Sequence, residues 1–177
     1  MIKTAIIDTP IGEMTAGATD NGICLLEFTE GTIPSRGLKE LTGLPGTGAE
    51  NGDNNHLKEL GIQLAEYFEG KRKEFTVPLD ICGTEFQRLV WNALLQIPFG
   101  TTKSYQAQAD SLNRSLSIRA VAGANARNRI AILIPCHRIV GSDGHLTGYG
   151  GGLWRKRWLL DHETKYSGKP VALSLFQ

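Results

Sequence analysis

The apolar pattern of this 177-residue chain is mixed, mostly strand-like with one helical stretch, up to Gly83 and helical after it, and that division restricts the folds open to it. Before it, "KTAIID", "EMTAGAT" and "ICLLEF" read as short strands, and "TPIGE" and "DNG" supply the turns. Leu57, Leu60, Leu64, Tyr67 and Phe68 then share one face over 55–69, which predicts a helix. "EFTVPLDI" reads as a last strand. Residues 31–54, rich in Gly, Pro and Thr, read as a flexible connection with at most one short helix. After Gly83 helical signals dominate. The expected fold is α+β: a small N-terminal antiparallel sheet with a helix over 1–83, then a helical C-terminal domain over 84–177.

Such a length buries a core without staples. The three cysteines, Cys24, Cys82 and Cys136, form no CxxC pair, and their odd count suits no disulfide framework. A reducing, cytoplasmic setting is expected. Cys24 and Cys82 sit in apolar strands and read as core. The N-terminus lacks the apolar core of a signal peptide, and no apolar run reaches membrane-spanning length, so no membrane partner is expected.

Charge is divided unevenly. Residues 1–83 hold 7 Lys and Arg against 13 Asp and Glu, whereas residues 84–177 hold 12 against 5. A basic second half on an acidic first half fits a polyanionic partner, although uneven surface charge would look the same.

Thr84 and Gln87 stand three apart before an apolar run, a capping-box signature, and the helix they open stops at "IPFG". "SYQAQADSL" (104–112) is a second short helix with Ser104 as N-cap. A tight "NRS" leads to a third helix over 116–127. Two short helices across a tight turn outline a helix-turn-helix. The third helix has almost no side-chain bulk, with Ala120, Ala122, Gly123, Ala124 and Ala126. Close packing against another helix accounts for this, and so does a backbone that must approach a bulky surface. Arg119, Arg127 and Arg129 border the small face and favour a phosphate backbone.

"ILIPCHRIV" (132–140) raises the question of chemistry. A strand-like apolar run stops at Pro135, which cannot donate to a ladder. Cys136, His137 and Arg138 follow before apolar residues resume. A cysteine in an apolar run is usually a small hydrophobe. Here two polar residues follow at once, which a core strand would not tolerate. A nucleophilic thiol needs a base or a positive field, and His137 is a candidate base. Neighbours on a strand point to opposite faces, so the pair must sit on a bend or act through water. A third group should orient the imidazole, and the late helix "GLWRKRWLLDHE" offers Glu163 or Asp161. His56, His137, His145 and His162 have no ligand spacing to any cysteine, so no metal is expected.

"PCHRIV", "RAVAGANARN" upstream, "GYGGGLWRKRWLLDHE" downstream and "GTEFQRLVWNALLQIPFGTTKSY" together resemble the DNA alkyltransferases, the methylated-DNA–protein-cysteine methyltransferases. The resemblance is close over 84–163 and holds only in outline before that. It implies a suicide repair protein without cofactor, acting as a monomer. Such a protein takes an alkyl group from the 6-oxygen of guanine, or the 4-oxygen of thymine, irreversibly onto its own cysteine. It implies that the helix-turn-helix enters the minor groove of double-stranded DNA and that the alkylated base is flipped out. By resemblance Cys136 is the nucleophile, His137 the base acting through a water, and Glu163 its orienting partner. Tyr105 protonates the departing guanine and Asn128 organises the turn before the cysteine. Arg119 fills the vacated stack, and Ser104, Ala120, Gly123, Ala124 and Arg127 lie along the DNA. Pro135, Tyr149, Gly150 and Gly151 wall the pocket. Two rivals stand beside this reading. Alkyltransferase-like proteins recognise lesions but replace the cysteine, and Cys136 argues against that role. A regulator would use the same helices to read one sequence.

Overall fold

A computed structural model describes residues 1–29, 36–113 and 117–168. It divides into two compact units, Met1–Cys82 with Arg129–Ala131, and Gly83–Asn128 with Ile132–Gln177. The mixed α+β class agrees with the sequence pattern.

In the first unit, β1 (Ile2–Ile7), β2 (Met14–Ala18) and β3 (Ile23–Phe28) form an antiparallel sheet with order β3-β2-β1. β2 is buried along its whole length, which its small residues permit. A Cβ at Gly17 would lie 3.1 Å from both Ile2 and Leu25. The helix α2 (Asn55–Phe68) packs its Leu60, Leu64 and Tyr67 face under this sheet, and Asn54 caps it by accepting from the amides of His56 and Leu57.

The segment expected to be a loose connection is more ordered than its composition implies. It holds α1 (Arg36–Thr42) and β4 (Ala49–Asn51), and β4 adds to the sheet edge parallel to β1. The start of that segment, 31–35, lies outside the described residues. Conversely, "EFTVPLDI" makes no strand. Among the described residues its ladder contact is a lone bridge from Leu79 to Ile23. Pro78 has no N–H to give, and the amides of Thr76 and Val77 donate instead to the Gln63 side chain, at 2.9 and 3.4 Å. Cys24 is core as expected, whereas Cys82 is partly buried and outside any strand.

In the second unit, α3 (Glu85–Leu95) opens with the complete capping box of Thr84 and Gln87. The short ladder of β5 (Lys103–Ser104) with β6 (Ile139–Val140) is parallel. Ser104 caps α4 (Tyr105–Ser111) by accepting from the Ala107 amide at 3.0 Å. α5 (Ile118–Asn125) packs against both α3 and α4. The buried Trp91 indole donates to the Ala124 carbonyl at 2.8 Å and ties α3 to the end of α5. Of the tight turn expected at "NRS" (113–115), Asn113 is described, with φ +54°, while residues 114–116 lie outside the described residues. The last helix, α6, runs over Leu153–Tyr166.

Candidate active site

The apolar run before Pro135 is buried but is not a strand. It is a turn in which Ile132 holds φ +70°, a left-handed conformation rare for a β-branched residue. Burial of the Ile132 side chain holds it there. Cys136–Arg138 then forms one turn of 3₁₀ helix. Successive residues on such a turn diverge by about 120°. The turn therefore separates its three polar side chains: Cys136 keeps partial exposure, while His137 and Arg138 are buried.

Both buried groups converge on Glu163 of α6, itself buried. His137 Nε2 lies 2.8 Å from Glu163 Oε1. Arg138 donates to both carboxylate oxygens, at 2.9 and 3.0 Å, and also to the Ile97 carbonyl. The Gly100 amide donates to Oε2 at 3.0 Å. Gly100 has φ +68°, and a Cβ there would lie 2.4 Å from Ser167 Cβ, so only glycine fits. Asp161 is instead exposed beside Arg157, which decides between the two carboxylates that the sequence left open.

Burial opposes ionisation of Glu163, but the hydrogen bonds from His137 and Arg138 and the charge of Arg138 outweigh it and hold the carboxyl well below the usual range. Burial pushes the His137 imidazole down, against the pull of Glu163. A carboxylate beside a neutral imidazole fixes the tautomer: Nε2 carries the hydrogen and donates to Glu163. Nδ1 then holds a lone pair, and it is buried with no partner among the described residues.

The thiol of Cys136 is pushed up by burial, with Asn128 and Lys156 acting the other way, so it rests as the neutral thiol. Asn128 Nδ2 lies 3.2 Å from Cys136 Sγ and 2.8 Å from the Ile134 carbonyl, pinning the turn across its base. Lys156 is a residue that sequence reasoning missed. It is fully buried, donates to the Thr147 carbonyl at 2.7 Å, and burial lowers it to about 8. Tyr105 donates to the same Thr147 carbonyl at 3.2 Å, and burial pushes its hydroxyl up. The signal for Lys156 was only its place about two turns before Glu163 on one helix.

A cavity of about 600 Å³ opens over the thiol, lined among others by Tyr105, Arg119, Asn125, Cys136, Tyr149 and Gly150. Gly151 and Pro135, expected in its wall, are not among its lining residues: both are buried, and the Gly151 carbonyl accepts from Arg155 at 2.8 Å. On α5, Arg119, Ala120 and Gly123 are exposed, and Arg127 just beyond it is too. Ala124, expected on the same face, is buried, with its carbonyl on Trp91. Arg129 does not border that face. It belongs to the first unit, paired with Glu40 at 2.6 Å and donating to the Cys82 carbonyl at 2.8 Å. A Cβ at Gly123 or Gly150 meets nothing within 4 Å, so packing within this chain does not require glycine there. Among the described residues no group of three or more His, Cys, Asp and Glu is placed to hold a metal ion.

Two family models match almost end to end. Residues 2–81 match the 6-O-methylguanine DNA methyltransferase ribonuclease-like domain, and residues 85–165 match its DNA binding domain. A methylated-DNA–protein-cysteine methyltransferase of Mycobacterium bovis is 44% identical over 177 residues, covering 99% of each chain. One from Methanosarcina barkeri is 42% identical, covering 89% of this chain and 94% of the relative. The crystal structure of Mycobacterium tuberculosis O6-methylguanine methyltransferase superposes with a TM-score of 0.80 at 40% identity, covering 99% of both. A second Mycobacterium tuberculosis structure, in complex with DNA, superposes at 0.78 with 40% identity over 96% of both.

Proposed function

The chain belongs to the methylated-DNA–protein-cysteine methyltransferases, an enzyme family, and on that premise we propose that it repairs alkylated DNA by taking the alkyl group onto Cys136. The observation that carries the proposal is the order of groups from the cavity inward: a thiol in the cavity lining, an imidazole next to it in sequence, and a buried carboxylate 2.8 Å from that imidazole.

The reaction needs the thiolate, and burial makes that form scarce at rest. The thiol proton passes through a water to His137 Nδ1, and Glu163 stabilises the imidazolium. Sulfur attacks the alkyl carbon, the carbon–oxygen bond breaks, and its electrons stay on the guanine 6-oxygen and ring. Tyr105, kept protonated by burial, gives its proton to the leaving guanine. Cys136 ends as a thioether, which has no good leaving group, so each molecule acts once. The 4-oxygen of thymine is a second site for the same attack.

A stacked base cannot reach a thiol at a cavity floor, so the alkylated nucleotide must be flipped out, at a cost of roughly a few kcal/mol. α4 and α5 act as a helix-turn-helix in the minor groove, with the exposed small face of α5 against the duplex and Arg119 filling the vacated stack. Support comes from Gly123, whose missing side chain no internal contact requires, and from the excess of basic residues after residue 83. Ser104 serves α4 as its cap.

The test is intact-protein mass spectrometry after incubation with methylated duplex. The protein should gain one methyl group per molecule on Cys136, and none on Cys24 or Cys82. Cys136→Ser should bind the duplex and gain nothing. Turnover beyond one equivalent, or a methyl group on another cysteine, would sink the proposal.

A further inference from the structure

Arg138 is buried among the active-site groups, yet no step of the transfer uses it. Burying a guanidinium is costly unless its partners repay the lost water. Arg138 Nε donates to Glu163 Oε2 at 2.9 Å, Nη2 donates to Oε1 at 3.0 Å, and Nη1 donates to the Ile97 carbonyl. A fork that meets both oxygens of one carboxylate is a counter-charge held in fixed geometry. The rest of that carboxylate is occupied too. His137 Nε2 faces Oε1 at 2.8 Å, and the Gly100 amide donates to Oε2 at 3.0 Å. An ionised carboxylate offers about four lone-pair sites, and these four donors fill them. A proton that leaves the thiol therefore stops at His137.

Charge balance decides the resting state of that imidazole. With Arg138 in place, carboxylate and guanidinium cancel, and burial favours the neutral ring. Without the guanidinium, a buried negative charge would stand 2.8 Å from a basic ring. An exposed imidazole titrates near ~6.5 and an exposed carboxyl near ~4.3, so the ring would take up the balancing proton first. An imidazolium has no lone pair for the thiol proton.

The other groups around the ring do not replace Arg138. Glu163 and Lys156 act on it from α6. Lys156 also opposes a charge on the ring, but it donates to the Thr147 and Gly148 carbonyls, and burial lowers it to about 8. A guanidinium keeps its charge where a buried ammonium gives it up. Cys136 on the same turn and Tyr149 of the glycine-rich segment are both pushed up by burial and rest neutral. The segment after α3 supplies the Ile97 carbonyl and the Phe99 ring, which do not titrate, and the charged residues of α3, Glu85 and Arg88, are exposed.

We infer that Arg138 is a positioning residue of the transfer reaction: by holding both oxygens of Glu163 as its counter-charge, it leaves His137 a neutral base when the thiol must lose its proton. This rests on the alkyl-transfer reading of Cys136.

Two readouts test it: the ring-nitrogen resonances of His137, and the pH profile of single-turnover methyl transfer. In the unaltered protein the ring should be neutral at neutral pH, with its hydrogen on Nε2. Arg138→Met keeps the side-chain length and removes the charge. It should turn the ring into imidazolium at neutral pH and move the acid limb of the profile up by about 1–3 pH units, the difference closing in alkaline buffer. Arg138→Lys keeps a charge without the fork and should reverse part of that shift. Arg138→Met with Glu163→Gln removes both charges, so it serves if the single variant folds poorly, and its ring should be neutral at neutral pH. An imidazolium in the unaltered protein or in that double variant overturns the assignment. So does a loss of rate that is equal at every pH and shared by the Met and Lys variants, since that is what a purely structural role produces. Absence of methyl transfer by the unaltered protein overturns the alkyl-transfer reading and the assignment with it. Transfer by Arg138→Met with an unmoved acid limb overturns the assignment alone.

Discussion

Glu163 keeps its negative charge inside the protein because four hydrogen bonds from three residues meet it there: one from His137, two from Arg138 and one from the Gly100 amide. In the unfolded chain the same carboxyl titrates near ~4.3. A depressed folded-state pKa means that the unfolded chain binds the proton first as the pH drops. The stability due to Glu163 is thus complete above the ordinary carboxylate range and is lost as the pH falls below it. Glu163→Gln, which leaves Arg138 buried without its counter-charge, should cost about 3–5 kcal/mol at neutral pH. The same variant should flatten the fall in denaturant midpoint between neutral and acid buffers; an acid limb as steep as the parent's would contradict the account. At His137 the prediction concerns rate. His137→Ala should slow methyl transfer by about 10²–10⁴-fold at neutral pH, the usual loss for a general base, and move the pH profile upward. Unchanged single-turnover rates would exclude the base role.

At the scale of elements, α5 carries a conflict between folding and its small residues. Glycine inside a helix costs about 0.5–1 kcal/mol relative to alanine, and nothing in the surroundings of Gly123 demands it. Gly123→Ala should therefore raise the denaturation midpoint, corresponding to about 0.5–1 kcal/mol. Gly123→Leu should fold as well as the parent but bind undamaged duplex more weakly, because its side chain would stand between backbone and groove. Titrations of both variants against the same duplex check this, and a Leu variant that binds as the parent does would remove the case for close approach. The neighbouring Ala124 obeys a different constraint. It is buried with its carbonyl on Trp91, so its small size serves packing within the unit.

At the scale of the whole molecule, the two units are not consecutive stretches of chain. Arg129–Ala131 returns to the first unit, where the Leu26 amide donates to the Arg129 carbonyl at 2.7 Å and the Ala131 amide donates to the Leu26 carbonyl at 2.8 Å. Ile130 is buried there, and Arg129 pairs with Glu40. A fragment beginning at Gly83 would strip these residues of their partners immediately before the turn that holds Cys136. Such a fragment should melt well below the intact chain and lose methyl transfer even where it still binds DNA. A fragment that melts and reacts like the full chain would show that the anchoring of Arg129–Ala131 is dispensable.

Local signals were enough for the elements that local physics controls. Alternation gave β1 to β3, helical spacing gave α2, and side chains within three residues of a helix start gave the caps at Thr84 and Ser104. The "PCHR" stretch exposed the reactive pair for a similar reason, since polar side chains inside an apolar run carry a desolvation cost that a segment built only for packing avoids. Tertiary contacts decided the rest. Whether "EFTVPLDI" became a strand depended on Gln63, more than ten residues away, taking its amides. Whether β4 existed depended on the open edge of β1. The choice of Glu163 over Asp161 followed from which face of α6 is buried, because a carboxylate acts on His137 only where water does not screen it. Lys156 showed in the sequence only as a position about two turns before Glu163, and the hydrogen-bonded Gln108–Asn125 pair left no mark, since a buried polar group is defined by partners that only the folded chain supplies.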